Sequence, residues 1–264
     1  MRHLACSIAA ALALAAGAAP AAHAARLISD AGRLVLEQGD ASRLDLSATP
    51  GTLISLAGGL QLRIDGVQAE AGPGGRTVWL HQVSVADPPS GRRPLCEPHA
   101  DGTTHLVFVP GSQRADGSLH EDAAAVSPSC TAGALAKCLR FGYRPWGREA
   151  DGSPGIAAYN ACLRMVRADY GGTDEPSTEN GRIIDVYDDL GLQRADLLPG
   201  QRFEAGWDAQ GAVCVSAPRV PENITPEQIE ARHPRLRGRV GSICTEAFAR
   251  AHGAILFNRS GPAQ

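Results

Sequence analysis

Seven cysteines punctuate this chain of 264 residues, and no two of them form a C-x-x-C pair. Their state constrains the fold more than any other feature, because paired cysteines tie distant segments together and reduced ones do not. The N-terminus bears on which applies. Met1-Arg2-His3 is a short positive start, Leu4 to Ala19 carries no charge, and Ala22-His23-Ala24 supplies small residues of the A-x-A kind. In that order, these parts read as a secretory signal peptide over residues 1–24, cleaved after Ala24. The apolar stretch is short and alanine-rich for a membrane anchor. Cys6 sits at the start of that stretch instead of closing it, so no lipidation is expected there. Cleavage removes Cys6 and leaves six: Cys96, Cys130, Cys138, Cys162, Cys214 and Cys244.

An even number of cysteines in an exported chain points to disulfides, since compartments outside the cytosol are oxidising. Six cysteines allow fifteen connectivities, and spacing alone does not choose among them. Zinc is the rival use, but structural zinc sites draw on close ligand pairs. Seven residues separate even the nearest two, Cys130 and Cys138. The protein is therefore expected to be periplasmic or extracellular. No later segment approaches ~18 consecutive apolar residues, so a membrane-spanning helix is not expected.

Charge narrows the partners. The chain carries 25 basic and 28 acidic residues, a formal net charge of −3. Losing Arg2 with the signal leaves 24 against 28, or −4. No global basic field exists to recruit nucleic acid. Lys137 is the only lysine and the other 24 basic residues are arginine, which reads as coding bias and weakens any argument from arginine number.

Hydrophobic periodicity changes along the chain. Leu34–Leu36, Leu53–Leu56, Leu60–Ile64, Val78–Val83 and Thr104–Val109 are short apolar or alternating runs separated by Gly/Pro turns, the pattern of antiparallel strands. The middle then switches to helical spacing. Ser129 or Thr131 is expected to cap a helix through Arg140, and Ser153-Pro154 to start a second one. That second helix carries Ile156, Tyr159, Leu163, Val166 and Tyr170 at helical spacing and is expected to end at Gly171-Gly172. A strand at Ile183–Tyr187, a hairpin over Phe203–Ser216, a Pro/Arg-rich stretch over 217–240, a short helix from Ser242 to His252 and a frayed tail complete the reading. The fold class is α+β: a strand-rich N-terminal half, two central helices, then a C-terminal hairpin and short helix, stapled by disulfides.

Several ordered motifs carry a resemblance. Pro94-Leu95-Cys96, Ala134–Cys138, Gly142-Tyr143-Arg144-Pro145-Trp146, Ala161-Cys162-Leu163-Arg164-Met165-Val166-Arg167-Ala168-Asp169-Tyr170, Ile184–Gln193 and Phe203-Glu204-Ala205-Gly206-Trp207 together resemble the ADYC domain family. The likeness covers roughly residues 60–257. Outside it, residues 25–59 are read as a strand-rich extension packed on the domain and residues 258–264 as a disordered tail. The likeness implies an exported bacterial protein of uncharacterised activity, and brings no catalytic residues with it. At the signature the chain departs from the family, with Gly171 where the motif has cysteine after Ala-Asp-Tyr. If that cysteine is normally bridged, the even total of six favours loss of both partners together. The expected bridges are Cys96–Cys130, tying the strand-rich half to the helices, Cys138–Cys162, stapling neighbouring helices, and Cys214–Cys244, clamping the last helix to the hairpin.

Chemistry is sparse by comparison. No G-x-S-x-G, H-E-x-x-H or phosphate loop is present. Gly72–Gly75 reads as a turn, and in the acidic loop after the second helix the EF-hand register with Gly181 at the sixth position puts Pro176 at the first, which excludes that motif and leaves an irregular calcium site open. No cofactor and no metal are expected. The candidate binding residues are Asp169, Tyr170, Asp185 and Asp188, with Tyr187 and Asp189 nearby. Asp169 falls near a helix C-terminus, where the macrodipole disfavours an anion, so an arginine, backbone donors or a cation must compensate it. One reading is structural. The other is a cation-binding or hydrolytic carboxylate site in which Asp169 works with Asp185 or Asp188. The six histidines left after processing offer no helix-spaced ligand pair, and His105 with Asp101 or His120 is the one spatial pairing to consider. Arg235, Arg237 and Arg239 alternate in a local basic run, a surface loop or edge strand by default and a weak anionic-polymer contact as the sharper alternative.

Overall fold

The computed structural model describes residues 25–56, 59–87, 89–99, 102–150 and 152–261. The expected signal peptide lies outside the described residues, as does Asp101. Strands β1 (Arg26–Asp30), β2 (Arg33–Glu37) and β3 (Arg43–Asp45) form a three-stranded antiparallel sheet. Next come β4 (Leu53–Ser55), β5 (Gln61–Ala71), β6 (Thr77–Asp87), β7 (Gly91–Pro94), β8 (His105–Pro110), the short pair β9 (Ser112–Gln113) and β10 (Leu119–His120), and β11 (Val126–Cys130). The larger sheet runs β11-β8-β6-β5-β4, with β7 also paired to β6.

Alternation along these strands decides what each face covers. Val107 and Val109 of β8 join the core beneath the helices, while Leu106 and Phe108 turn to a second core with Leu34 and Leu46. Strand β6 divides itself the same way, Val78 and Leu80 on the helical side and Val83 and Val85 on the other. The N-terminal strands thus cover one face of the six-stranded sheet and the helices the opposite one.

Helix α1 (Ala134–Arg140) is followed by α2 (Gly155–Arg167), β12 (Ile184–Asp188), β13 (Arg202–Asp208), β14 (Gly211–Val215), α3 (Pro226–Arg232), α4 (Glu246–Ala251) and β15 (Leu256–Ser260). A four-stranded sheet runs β12-β15-β13-β14. One core cluster draws from both helices, from β6 and β8 on one side, and from Ala205, Trp207 and Leu256 on the other, so α1 and α2 share a core with both sheets. Disulfides join Cys96 to Cys130, Cys138 to Cys162, and Cys214 to Cys244. They link the segment after β7 to the end of β11, α1 to α2, and β14 to the loop before α4.

Several local expectations are corrected by tertiary pairing. Ser129 does not cap α1; it lies in β11, which pairs with β8 through Cys130↔Leu106, and the helix begins after Gly133 without a side-chain cap. Pro154 stands at the cap position of α2, not inside it, and Gly155 follows because a Cβ there would collide with the Arg144 carbonyl. The helix ends at Arg167, four residues before Gly171, with Ala168 left-handed at φ 49°. Asp169 and Tyr170 are thereby turned inward out of the helical path. The C-terminal helix is shorter than expected, capped by Thr245, and the Pro/Arg-rich stretch holds a helix, α3, that was not expected there. Most consequentially, residues 258–260 are no tail. They belong to β15, which is paired on both sides by β12 and β13.

Candidate functional site

The Asp-Tyr motif sits where α2 meets the four-stranded sheet. Leaving the helix through Ala168, the chain buries both side chains at once. Asp169 accepts from Arg164 Nη1 at 2.8 Å and from the backbone amides of Thr173 and Asp174 at 3.0 and 3.1 Å. One arginine from the last turn of α2 and two amides of the next loop thus offset the charge that the helix end disfavours. The residue behaves as a loop-ordering carboxylate.

Tyr170 enters a network richer than the motif suggested. Its ring stacks on Trp207 at 5.4 Å and 19°. Its hydroxyl donates to Glu204 Oε1 at 3.1 Å and accepts from the Arg219 amide at 2.9 Å. Glu204 also takes Nε and Nη2 of Arg219 at 3.0 and 3.1 Å and Nδ2 of Asn258 at 2.7 Å, while Asn258 Oδ1 accepts from Trp207 Nε1 at 2.8 Å. Arg219 spends its remaining donors on the carbonyls of Met165 and Val166 and on Thr178 Oγ1. Burial, followed by the neighbouring Glu204 charge, pushes the Tyr170 phenol well above its ordinary value. Each acceptor and donor here has a partner, the condition under which a buried ion pair is tolerated. Above the Glu204–Arg219 pair opens a cavity of about 560 Å3 lined by Arg182, Arg202, Phe203, Ser216, Pro218 and Pro221, among others.

Asp185 and Asp188 lie on β12 and serve the loop that follows it. Asp185 accepts from the amides of Asp196 and Leu197 at 2.9 and 3.1 Å. Asp188 accepts from the amides of Leu190, Leu192 and Gln193 and from the Tyr143 hydroxyl at 2.8 Å. Burial and the Asp188 charge raise the Tyr143 phenol well above its usual range. Asp189 pairs with Arg250 at the surface. Asp169, Asp185 and Asp188 share no partner, and each is taken up by its own donors. Among the described residues, no three His, Cys, Asp or Glu side chains are placed to hold a metal ion.

Glu204, Arg219 and Asn258 escaped the sequence reading as a site. Phe203-Glu204-Ala205-Gly206-Trp207 stood out as a motif, but an acid in an otherwise apolar strand was the signal that its partner had to be sought. Of the basic run, Arg235 is paired to Asp208 at 2.7 Å, which withdraws it from an anionic contact. His120 Nδ1 meets Arg114 Nη2 at 2.8 Å, not His105.

Compared with known proteins, the family model of the ADYC domain matches residues 38–221, beginning inside the segment 25–59 and stopping before α3. No curated protein and no solved structure matches the chain.

Proposed function

The chain belongs to the ADYC domain family, and from that membership we propose that it is an exported, disulfide-stabilised domain with a structural or binding role at the cell envelope or outside the cell. One observation carries the reading: the motif residues Asp169 and Tyr170 are buried and consumed by internal donors and acceptors, locking α2 to the four-stranded sheet. Three disulfides accord with an oxidising compartment, and no described helix is long and apolar enough to cross a membrane. The apolar N-terminus with its small-residue site supports cleavage near Ala24. Arg237 and Arg239 form no ion pair among the described residues and remain the proposed contact for an anionic polymer, without Arg235.

The test is Asp169→Asn in the oxidised protein. Removing one charge of a buried pair strands Arg164 and is expected to cost about 3 kcal/mol in urea unfolding. A carboxylate that instead bound a cation or moved a proton would show in calcium titration or in turnover of generic ester and glycoside substrates. Unchanged stability with lost cation binding or lost turnover would overturn the reading. Fractionation with non-reducing peptide mapping checks export: a mature chain starting near Arg26, outside the cytosol and without free thiol, is the expected result.

A further inference from the structure

Strand β6 runs on beyond the helices that cover it. Val78 and Leu80 belong to the core shared with α1 and α2. Past them the same face carries Gln82, Ser84 and Ala86, since side chains alternate along a strand, and Gln82 and Ala86 are exposed. Register brings Arg63 of β5 opposite Ser84 and Arg92 of β7 opposite Ala86. A cavity of about 580 Å3 opens here, lined by Arg63, Asp65, Gln82, Ser84, Arg92 and Arg93, among others.

Arg92 is fixed in place without being neutralised. Its Nε donates to Ser84 Oγ at 3.0 Å, and its Nη2 donates to the carbonyls of Ser84 and Gln61 at 2.8 and 3.2 Å. Lying across the strand in this way, it leaves Ser84 only 6% exposed. All three acceptors are uncharged, and Nη1 carries no hydrogen bond among the described residues. Arg93 is exposed, and its one hydrogen bond is long, from Nη1 to the Pro94 carbonyl at 3.4 Å. Neither arginine has an acidic partner among the described residues. Arg63 pairs through Nε with Asp65, the residue that a bulge between Ile64 and Gly66 leaves out of register. Its two terminal nitrogens carry no hydrogen bond, and its side chain is 44% exposed.

The lining therefore sets three guanidinium groups against one carboxylate, a local charge of +2 in a chain whose formal net charge is −3. Coding bias accounts for how many arginines the chain carries, but not for their partners. Elsewhere Arg140, Arg219 and Arg250 each stand against an acid. Here a fixed guanidinium faces solvent-accessible space with its charge unmet. A ligand of two negative charges balances the set, and the oxygens of a phosphate dianion point in several directions at once, as donors from three side chains require. The cavity holds more than a phosphate. Its polar lining, with the exposed Gln82 amide, suits a hydroxyl-rich body over a hydrocarbon one.

We infer that this cavity binds a phosphomonoester dianion carried on a small polyhydroxyl body, its oxygens on Arg92, Arg93 and the terminal nitrogens of Arg63. Ser84 is then a positioning residue, since its hydroxyl and carbonyl aim Arg92. Neither the location of the protein nor the motif residues Asp169 and Tyr170 enter this inference.

Calorimetric titration of the oxidised protein with inositol monophosphate, at neutral pH and constant ionic strength, tests it. Saturable one-to-one binding is expected. Inositol sulfate, the same body with one charge fewer, should bind about tenfold more weakly, and inositol should not bind. Arg93→Ala, at an exposed position, keeps the fold and should weaken inositol monophosphate about tenfold. Arg92→Lys retains the charge but not the planar fork held by three oxygens, and a similar weakening is expected. Arg232→Ala removes an exposed arginine on α3, outside the cavity, and should change nothing. No saturation in the parent protein, equal binding of inositol sulfate, full affinity in Arg93→Ala, or an equal loss in Arg232→Ala would each overturn the site. Binding of phosphatidic acid vesicles without binding of inositol monophosphate would overturn it too, assigning these arginines to a membrane surface.

Discussion

Gly171 leaves no room for a side chain: a Cβ there would run into Nδ1 and Cε1 of His233, far inside van der Waals contact. His233 is buried, and burial holds its imidazole below the ordinary value. The position at which the ADYC signature carries cysteine is thus filled by a residue from beyond α3. Gly171→Cys is expected to destabilise the chain by about 1–3 kcal/mol, the usual cost of overpacking, and His233→Ala in the same chain should return most of it. Urea unfolding of the single and double variants decides this; additive losses would contradict the close approach. Glycine is legible in the sequence as a departure from the motif. That a histidine sixty-two positions later had taken the space was not, because nothing local to either residue specifies the other.

Helix α2 shows how far an element follows from its own residues. Its apolar spacing was enough to place it, and Cys162 beside that stripe, with Cys138 on the apolar face of α1, suited a bridge between neighbouring helices. The Cys138–Cys162 bridge closes a separation of 24 residues, which in the chain-entropy model is worth about 3.5 kcal/mol. Cys138→Ser with Cys162→Ser is expected to lower stability by that amount in urea while the other two bridges stay intact by peptide mapping. No loss would mean that the helices are held by packing alone. Helix α3 was within reach and missed: Thr225-Pro226-Glu227-Gln228 is a capping box with proline at the first helical position, and both reciprocal hydrogen bonds form. Strand β15 was out of reach. Leu256–Ser260 sits beside the C-terminus and carries an arginine and an asparagine, so its short pattern resembles a tail. Pairing on both edges, and burial of Asn258 between Trp207 and Glu204, make it a strand.

At the scale of the whole molecule, the N-terminal strands meet the six-stranded sheet around His81. Its Nε2 lies 2.8 Å from Ser47 Oγ, which also accepts from the Leu34 amide, and its ring stands edge-on to Phe108. Burial pushes this imidazole from its ordinary 6.5 down to about 4. Above pH 6.5 neither the folded nor the unfolded chain protonates it. Between 6.5 and about 4 the unfolded chain takes up the proton first, so stability falls with pH by about 3 kcal/mol in all, and below that the loss levels off. His233 acts in the same direction. Unfolding free energies measured from pH 7.5 to 4 should show this slope, and His81→Gln should flatten it; a slope unchanged in that variant would remove His81 as its source. The chain alone determined the α+β class, the antiparallel first half and the two central helices, because periodicity and turn residues act over a few positions. It also determined that six cysteines would be available to staple one another. Only the tertiary structure decided that the motif carboxylates would be consumed separately, that Glu204 would find Arg219, and that the last strand would lie inside a sheet. Those outcomes rest on desolvation and pairing between segments far apart in sequence, where the free energy belongs to the contact and to neither partner by itself.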